Sequence, residues 1–161
     1  MDTTPLVVLA LILAANGAPV LAARLLPASW RPPIDGGLRL ADGRPLFGRS
    51  KTWAGILAAL LASGTLAVLL GIDLQNGLLL GALAMAGDLF SSFVKRRIGL
   101  EPHARALGLD QVPEALFPSL GSMPLLGLDW ADVLLVTLAF AALELALSRL
   151  GYRLGIRRHP Y

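Results

Sequence analysis

Apolar runs close to the length a bilayer demands alternate with polar stretches along this 161-residue chain. Five stand out, at about 6–26, 54–70, 77–94, 115–128 and 133–150. A helix of roughly 20 apolar residues spans the hydrocarbon core. The pattern therefore predicts an all-α membrane protein, a bundle of five transmembrane helices. The first run is interrupted by Asn16, Gly17 and Pro19. The fourth is short and broken by Pro118 and Pro124, which a span tolerates where it packs against protein rather than lipid.

Composition agrees with the pattern. Apolar residues make up 55% of the chain and charged residues 16%, leaving little sequence for a soluble domain. We expect a single integral membrane domain over 1–161, multi-pass in the cell (inner) membrane. With no cysteine, neither a disulfide framework nor a thiolate metal site is available. The N-terminus lacks the basic segment of a signal peptide and reads as a retained span. The net charge of +3 does not call for nucleic acid, because the fourteen Lys and Arg lie within 24–51, 95–105 and 149–158. With five crossings all of them fall on one face, whereas four would send the basic C-terminal tail to the other. The positive-inside rule thus favours five, with the N-terminus outside and the C-terminus cytoplasmic. Two cytoplasmic loops result, at about 27–53 and 95–114.

Candidate chemistry sits at that basic face. In the stretch 87–99, GDLFSSFVKRRIG, positions Asp88, Ser91, Ser92 and Lys95 share one helical face. Asp88 lies seven residues, about 10 Å of helix, inside Lys95. An ionisable group at that depth is a functional hypothesis by default, the plain reading being an interhelical ion pair. In the first loop Arg31, Arg39, Arg44, Arg49 and Lys51 surround Gly36, Gly37, Gly43 and Gly48. Glycines let backbone amides approach a phosphate and Arg forks bind its oxygens. Basic loops also simply face anionic lipid headgroups, although that leaves the paired Asp35-Gly36 and Asp42-Gly43 steps unexplained. Asp110, Gln111 and Glu114 in the second loop can reach the same mouth, and two carboxylates with phosphate oxygens suit Mg²⁺. Glu144 is a weaker candidate, read as an interhelical hydrogen-bond partner for a group such as Asn16. His103 and His159 are read as bystanders. A nucleotide-binding P-loop is excluded, since Arg49 stands where its lysine belongs and no strand precedes it. Asp35 and Asp42 also lack the helical spacing of the CDP-alcohol phosphotransferases.

DGGLRLADGRPLFGRSKTWAG, GDLFSSFVKRRIG and LDQ, in this order and at these spacings, resemble the CDP-archaeol synthase family, membrane enzymes grouped with the CDP-diacylglycerol synthases or phosphatidate cytidylyltransferases. The resemblance covers most of the chain, including the C-terminal GYRLGIRRHPY. It implies a five-helix bundle in phospholipid biosynthesis that transfers a cytidylyl group from CTP to a membrane lipid phosphate, with Mg²⁺. Where the family reads DQxDF, this chain reads DQVPE, placing Pro113 at the second Asp. Either Glu114 supplies that carboxylate or the site has one protein ligand fewer.

For such a reaction Asp88, Asp110 and Glu114 are the expected metal ligands, and Asp88, Lys95, Lys51 and Asp110 the expected catalytic set. Lys51, Lys95, Arg96 and Arg97, with Arg39, Arg44, Gly48 and Gln111, are expected on the phosphates, and Thr52, Ser91 and Ser92 would add hydrogen bonds. Gly77, Gly81, Ala84 and Gly87 permit close helix approach on the third span. The rival class is a non-enzymatic membrane protein, a transporter subunit or scaffold, which predicts polar groups along a path through the bilayer midplane.

Overall fold

The computed structural model describes residues 3–101 and 106–155. His103, His159, Arg157 and Arg158 lie outside the described residues. Among the described residues there are five α-helices: α1 (Thr4–Leu25), α2 (Trp53–Leu69), α3 (Leu74–Arg97), α4 (Gln111–Leu126) and α5 (Trp130–Arg153). By length and composition α1, α3 and α5 are able to cross a membrane, and α2 is a shorter apolar helix. Neighbours in sequence are neighbours in space. The ring α1–α2–α3–α4–α5 closes back on α1, which also touches α3 and α4.

Two boundaries differ from the sequence expectation. Lys95, Arg96 and Arg97 form the last turn of α3, and Gln111–Glu114 the first turn of α4. The second loop thus contracts from 95–114 to 98–110. Cations are stabilised at a helix C-terminus by its dipole, and Pro113 sits in a first turn whose amides have no intrahelical partner. Moreover α4 is a single helix rather than a broken one. Its prolines are absorbed because α4 packs between α3 and α5, with Pro118, Ser119 and Ser122 buried. The Ser122 hydroxyl bonds the carbonyls of Pro118 and Ser119.

The core centres on Val8, Leu11 and Ile12 of α1 against Leu80, Val136 and Phe140, all at most 2% exposed. Between α2 and α3 the seam is made of small residues. A Cβ on Gly77 would stand 2.4 Å from the Ala67 methyl, and one on Gly81 would stand 2.1 Å from Ser63 Oγ. Small residues let backbones approach closely where lipid gives helices no hydrophobic reason to associate. At the opposite end from the basic face, Asp129 and Asp132 close a capping box that starts α5.

Candidate active site

The first loop is a pair of nested hairpins. Pro33 pairs with Thr52 and Arg39 with Pro45, both antiparallel. Ile34 N donates to Lys51 O and Trp53 N to Pro32 O, while Leu46 N donates to Leu38 O. The two Asp-Gly steps build the turns. Asp35 Oδ1 accepts the Gly37 amide, and its Oδ2 accepts the amides of Phe47 and Gly48. Asp42 Oδ1 likewise accepts the Arg44 amide two residues on, the side chain mimicking a backbone turn. Gly36, Gly37 and Gly43 all have φ between +57° and +86°, which glycine adopts at no steric cost. Slight burial works against the Asp35 carboxylate, but the Gly48, Phe47 and Gly37 amides prevail and hold its carboxyl below the ordinary value. Gly48 is therefore engaged with Asp35, and Thr52 caps α2 by accepting the Gly55 amide.

The inner hairpin docks on the end of α3. Arg44 Nη1 donates to the carbonyls of Arg97 and Arg96, satisfying helix-terminal acceptors. Arg97 forms a two-pronged ion pair with Asp42 at 2.8 Å and also reaches Pro45 O. Nine residues separate Arg97 from Asp88, half a turn out of phase, so Arg97 faces away from the polar stripe. Arg39 donates to Gly43 O. Arg39, Arg44 and Arg96 line a basic cleft of about 340 Å³ with Gly99, Leu100 and Glu101. The three arginines are thus grouped beside α3's end, Arg39 and Arg44 bonded within or from the hairpin and Arg96 bonded to Leu100 O.

On the other side of α3 the chemical centre assembles. The outer hairpin delivers Lys51, whose Nζ lies 2.6 and 2.7 Å from the two Asp88 carboxylate oxygens. The paired side chains are 22% and 21% exposed. Lys95, two turns along α3, pairs with Asp110 at 2.5 Å. Asp110 Oδ2 also accepts the Ala106 amide, so this carboxylate secures the approach to α4. Against Asp88 stands Glu114, near enough for the two carboxyl groups to interact. Burial disfavours the Lys51 ammonium, but the Asp88 charge and hydrogen bond, with Glu114 and Asp110 behind them, outweigh burial and hold Lys51 above its ordinary value.

Gly87 makes the meeting of Asp88 and Glu114 possible. A Cβ there would lie 2.1 Å from Pro113 O and 2.8 Å from Glu114 N. The α4 backbone passes directly over this glycine, in the register that sets Glu114 beside Asp88. Ser91 and Ser92 are buried in the same seam, Ser91 Oγ donating to Gly87 O.

Glu144 reaches the centre through a partner that the sequence reading did not foresee. Its Oε2 accepts Gln111 Nε2 at 3.1 Å and its Oε1 accepts Ser148 Oγ at 2.7 Å. Gln111 Oε1 accepts the Gly108 amide, tying loop, α4 and α5 together. Asn16 instead bonds its own helix at Ile12 O. The one sequence signal for this network is a carboxylate placed deep in an apolar helix.

The donor set suits a hard divalent cation bound with phosphate. Two carboxyl groups touch only with a proton or a cation between them. Among the described residues no group of three or more acidic, His or Cys side chains forms a complete cage. Mg²⁺ commonly binds through one or two carboxylates plus substrate phosphates, and Asp88 and Glu114 fit that mode.

Comparison with known proteins yields one family. Residues 6–161 match the family model described as CarS-like, CDP-archaeol synthase. The CDP-archaeol synthase of Hyperthermus butylicus is 39% identical over 144 residues, spanning 86% of this chain and 81% of that protein. The Aeropyrum pernix CDP-archaeol synthase is 38% identical over 157 residues, spanning 91% and 85%. The solved structure of an intramembrane enzyme for archaeal membrane lipids biosynthesis superposes with a TM-score of 0.74 at 32% identity, covering 88% of this chain and 90% of that one.

Proposed function

The chain belongs to the CarS-like CDP-archaeol synthase family, and on that premise we propose how its residues carry out the reaction. It is a CTP-dependent cytidylyltransferase that converts a lipid phosphate into a CDP-lipid and pyrophosphate. The Lys51–Asp88–Glu114 cluster at the basic end of the bundle carries the residue-level reading. A lipid phosphate oxygen attacks the α-phosphorus of CTP, forming a new P–O bond. The bond from that phosphorus to the bridging β-oxygen breaks, and pyrophosphate leaves with the electron pair. The attacking oxygen is already anionic, so no general base is needed and catalysis reduces to positioning and charge neutralisation. This agrees with a cluster of carboxylates and lysines.

In this reading Asp88 and Glu114 would hold Mg²⁺, and a bound Mg²⁺ would supply neutralisation of charge on the CTP phosphates. Lys51, paired with Asp88, and Lys95, paired with Asp110, bind phosphate oxygens. Asp110 holds Lys95 and the 106–110 segment in place, a positioning role beside its expected metal contact. Arg97 acts at one remove, by anchoring the hairpin that carries Lys51. The bundle sits in the cell membrane with five crossings, the N-terminus outside and the basic end in the cytoplasm, where CTP is available. The rival scaffold or transporter reading gains no support, since the three ion pairs seen among the described residues gather at one end.

Purified protein incubated with radiolabelled CTP, Mg²⁺ and archaeal-type or diacyl lipid phosphates tests the assignment. Wild type forms a CDP-lipid, and Asp88→Asn at equal expression does not. Full activity in Asp88→Asn refutes the role given to Asp88. A reporter that works only outside the cytoplasm, fused after Tyr161, stays silent if the topology is right.

A further inference from the structure

Glu144 lies nine residues before the end of α5, about 14 Å of helix at the standard rise. Asp88 stands the same nine residues before the end of α3. Gln111, by contrast, opens α4, yet its Nε2 donates to Glu144 Oε2 at 3.1 Å. The start of α4 therefore meets α5 well short of that helix's end, and the 106–110 segment is drawn in with it. We propose that Glu144 is a positioning residue for the reaction assigned above, on which this inference rests. Acting through Gln111, it fixes the segment that carries Asp110 and the helical turn that carries Glu114.

The hydrogen bonds support that role. Gln111 is 6% exposed and uses both ends of its amide, Oε1 accepting the Gly108 amide at 3.0 Å while Nε2 faces the Glu144 carboxylate. A carboxylate only accepts and a backbone N–H only donates, so one orientation of the Gln111 amide satisfies both. Turned over, it would set oxygen against oxygen and N–H against N–H. Glu144 is itself held, since the buried Ser148 donates its Oγ to Glu144 Oε1 at 2.7 Å.

What Gln111 secures is a compact turn. Asp110 N donates to Ala106 O and Val112 N to Gly108 O, while Asp110 Oδ2 accepts the Ala106 amide. The same Asp110 pairs with Lys95. Glu114 follows Gln111 by three positions, on the same side of α4. A segment drawn in among membrane-spanning helices has to find partners for its amides within the protein, because hydrocarbon supplies none. An acceptor on α5 leaves the Gln111 oxygen to Gly108 and ties the turn to the bundle.

The test replaces the carboxylate in two ways. Glu144→Gln keeps an oxygen for Gln111 Nε2 and offers an N–H to Ser148 Oγ, whereas Glu144→Leu keeps the bulk and neither contact. Glu144→Ala, carried in parallel, should behave as Glu144→Leu does if the lost contact rather than a steric clash is responsible. Hydrogen exchange of peptides spanning residues 106–112, in full-length protein in detergent without substrate, reads the contact itself. Exchange should quicken about tenfold in Glu144→Leu, the order of loss for a buried hydrogen bond to a charged group, and stay near wild type in Glu144→Gln. CDP-lipid formation should fall by about 10- to 100-fold in Glu144→Leu, as when a group that orients a ligating side chain is removed. Glu144→Gln should recover most of that rate. Gln111→Ala combined with Glu144→Leu should add little to either single loss, because both act through one bond. Wild-type exchange in Glu144→Leu overturns the proposal. Equal losses of rate in Glu144→Leu and Glu144→Gln also overturn it, assigning the effect to charge instead. Fully additive losses in the double variant break the path through Gln111. Absence of CDP-lipid from wild type with every lipid phosphate overturns the reaction itself, and the exchange rates then still decide whether Glu144 holds the turn.

Discussion

Gly87→Ala is the smallest change expected to dismantle the centre. The added methyl would start 2.1 Å from Pro113 O and 2.5 Å from Pro113 C, both backbone atoms. No side-chain rotation relieves such a contact. To restore an ordinary 3.4 Å separation, α3 and α4 must part locally by about 1.3 Å, measured against the 2.1 Å starting contact. Overpacking of this kind costs about 1–3 kcal/mol, which a bundle of this size survives. Glu114, whose amide lies 2.8 Å from the same point, moves with the backbone away from Asp88. A displacement of about 1 Å at reacting groups costs roughly 100-fold in rate. The variant should therefore fold and bind lipid yet lose about two orders of magnitude in CDP-lipid formation, while thermal unfolding moves only modestly. Initial rates at saturating CTP, with detergent-phase unfolding monitored in parallel, measure both quantities. Gly17→Ala, which meets nothing within 4 Å, is the matched control and should retain wild-type rates. Wild-type activity in Gly87→Ala would refute the claim that this glycine sets the Asp88–Glu114 register.

Other outcomes follow from the same contacts. Asp35→Ala removes the acceptor for three backbone amides and should loosen the first loop by about 1–2 kcal/mol, at the low end for a charged acceptor because the site is partly open to water. Limited proteolysis within residues 36–46 measures this directly. Because the Asp35 carboxyl is held below 3.8, its ordering effect is complete above that pH and declines as the pH falls through the lowered value. Protease resistance of the loop should therefore be flat at neutral pH and fall in acid, and Asp35→Ala should lose that acid step. Arg97→Ala should expose the same hairpin to protease while leaving helix content unchanged, and a wild-type digestion pattern would contradict the anchoring role. Gly81→Ala should destabilise the α2–α3 seam, and Ser63→Ala should restore part of the loss, since removing Oγ takes away the 2.1 Å contact and leaves one of 3.2 Å to Cβ. Equal and additive losses would argue against the proposed contact.

Much of this arrangement was legible in the residues because apolar length is a strong signal. The five runs fall within the five helices or overrun them by a residue or two, and the stripe Asp88–Ser91–Ser92–Lys95 lies on one face as helical spacing requires. Helical phase also contained a warning about Arg97, half a turn from Asp88, yet adjacency in KRR groups it with the stripe. The fate of Pro113 was not legible. It breaks the expected DQxDF pattern, but whether Glu114 turns toward Asp88 depends on how closely α4 rides over Gly87, a distance set by tertiary packing. The first loop was legible in part. The Asp-Gly steps signal turns, but that Asp35 holds Phe47 and Gly48, twelve and thirteen residues away, follows only from nested pairing. The role of Glu144 is not legible locally, because its partner Gln111 lies 33 residues away on another helix and no local periodicity links them.

The ion pairs also divide the chain in a telling way. Asp88, Asp110 and Glu114 all follow the turn at residues 70–73, whereas Lys51 precedes it. The nested hairpins and the α1–α2 contact are complete within the first segment, and the α3–α4–α5 packing within the second. During synthesis, then, the first helical hairpin can emerge from the ribosome with its loop already folded, carrying a positive charge that awaits its counterion. Asp88 arrives later, on α3, and neutralises Lys51 across the seam as the second segment docks. Two separately expressed fragments, cut at that turn, would each keep their internal hydrogen bonds and meet through two ion pairs of opposite sense, Lys51–Asp88 and Asp42–Arg97. Assembly and the appearance of a working centre would then be one event.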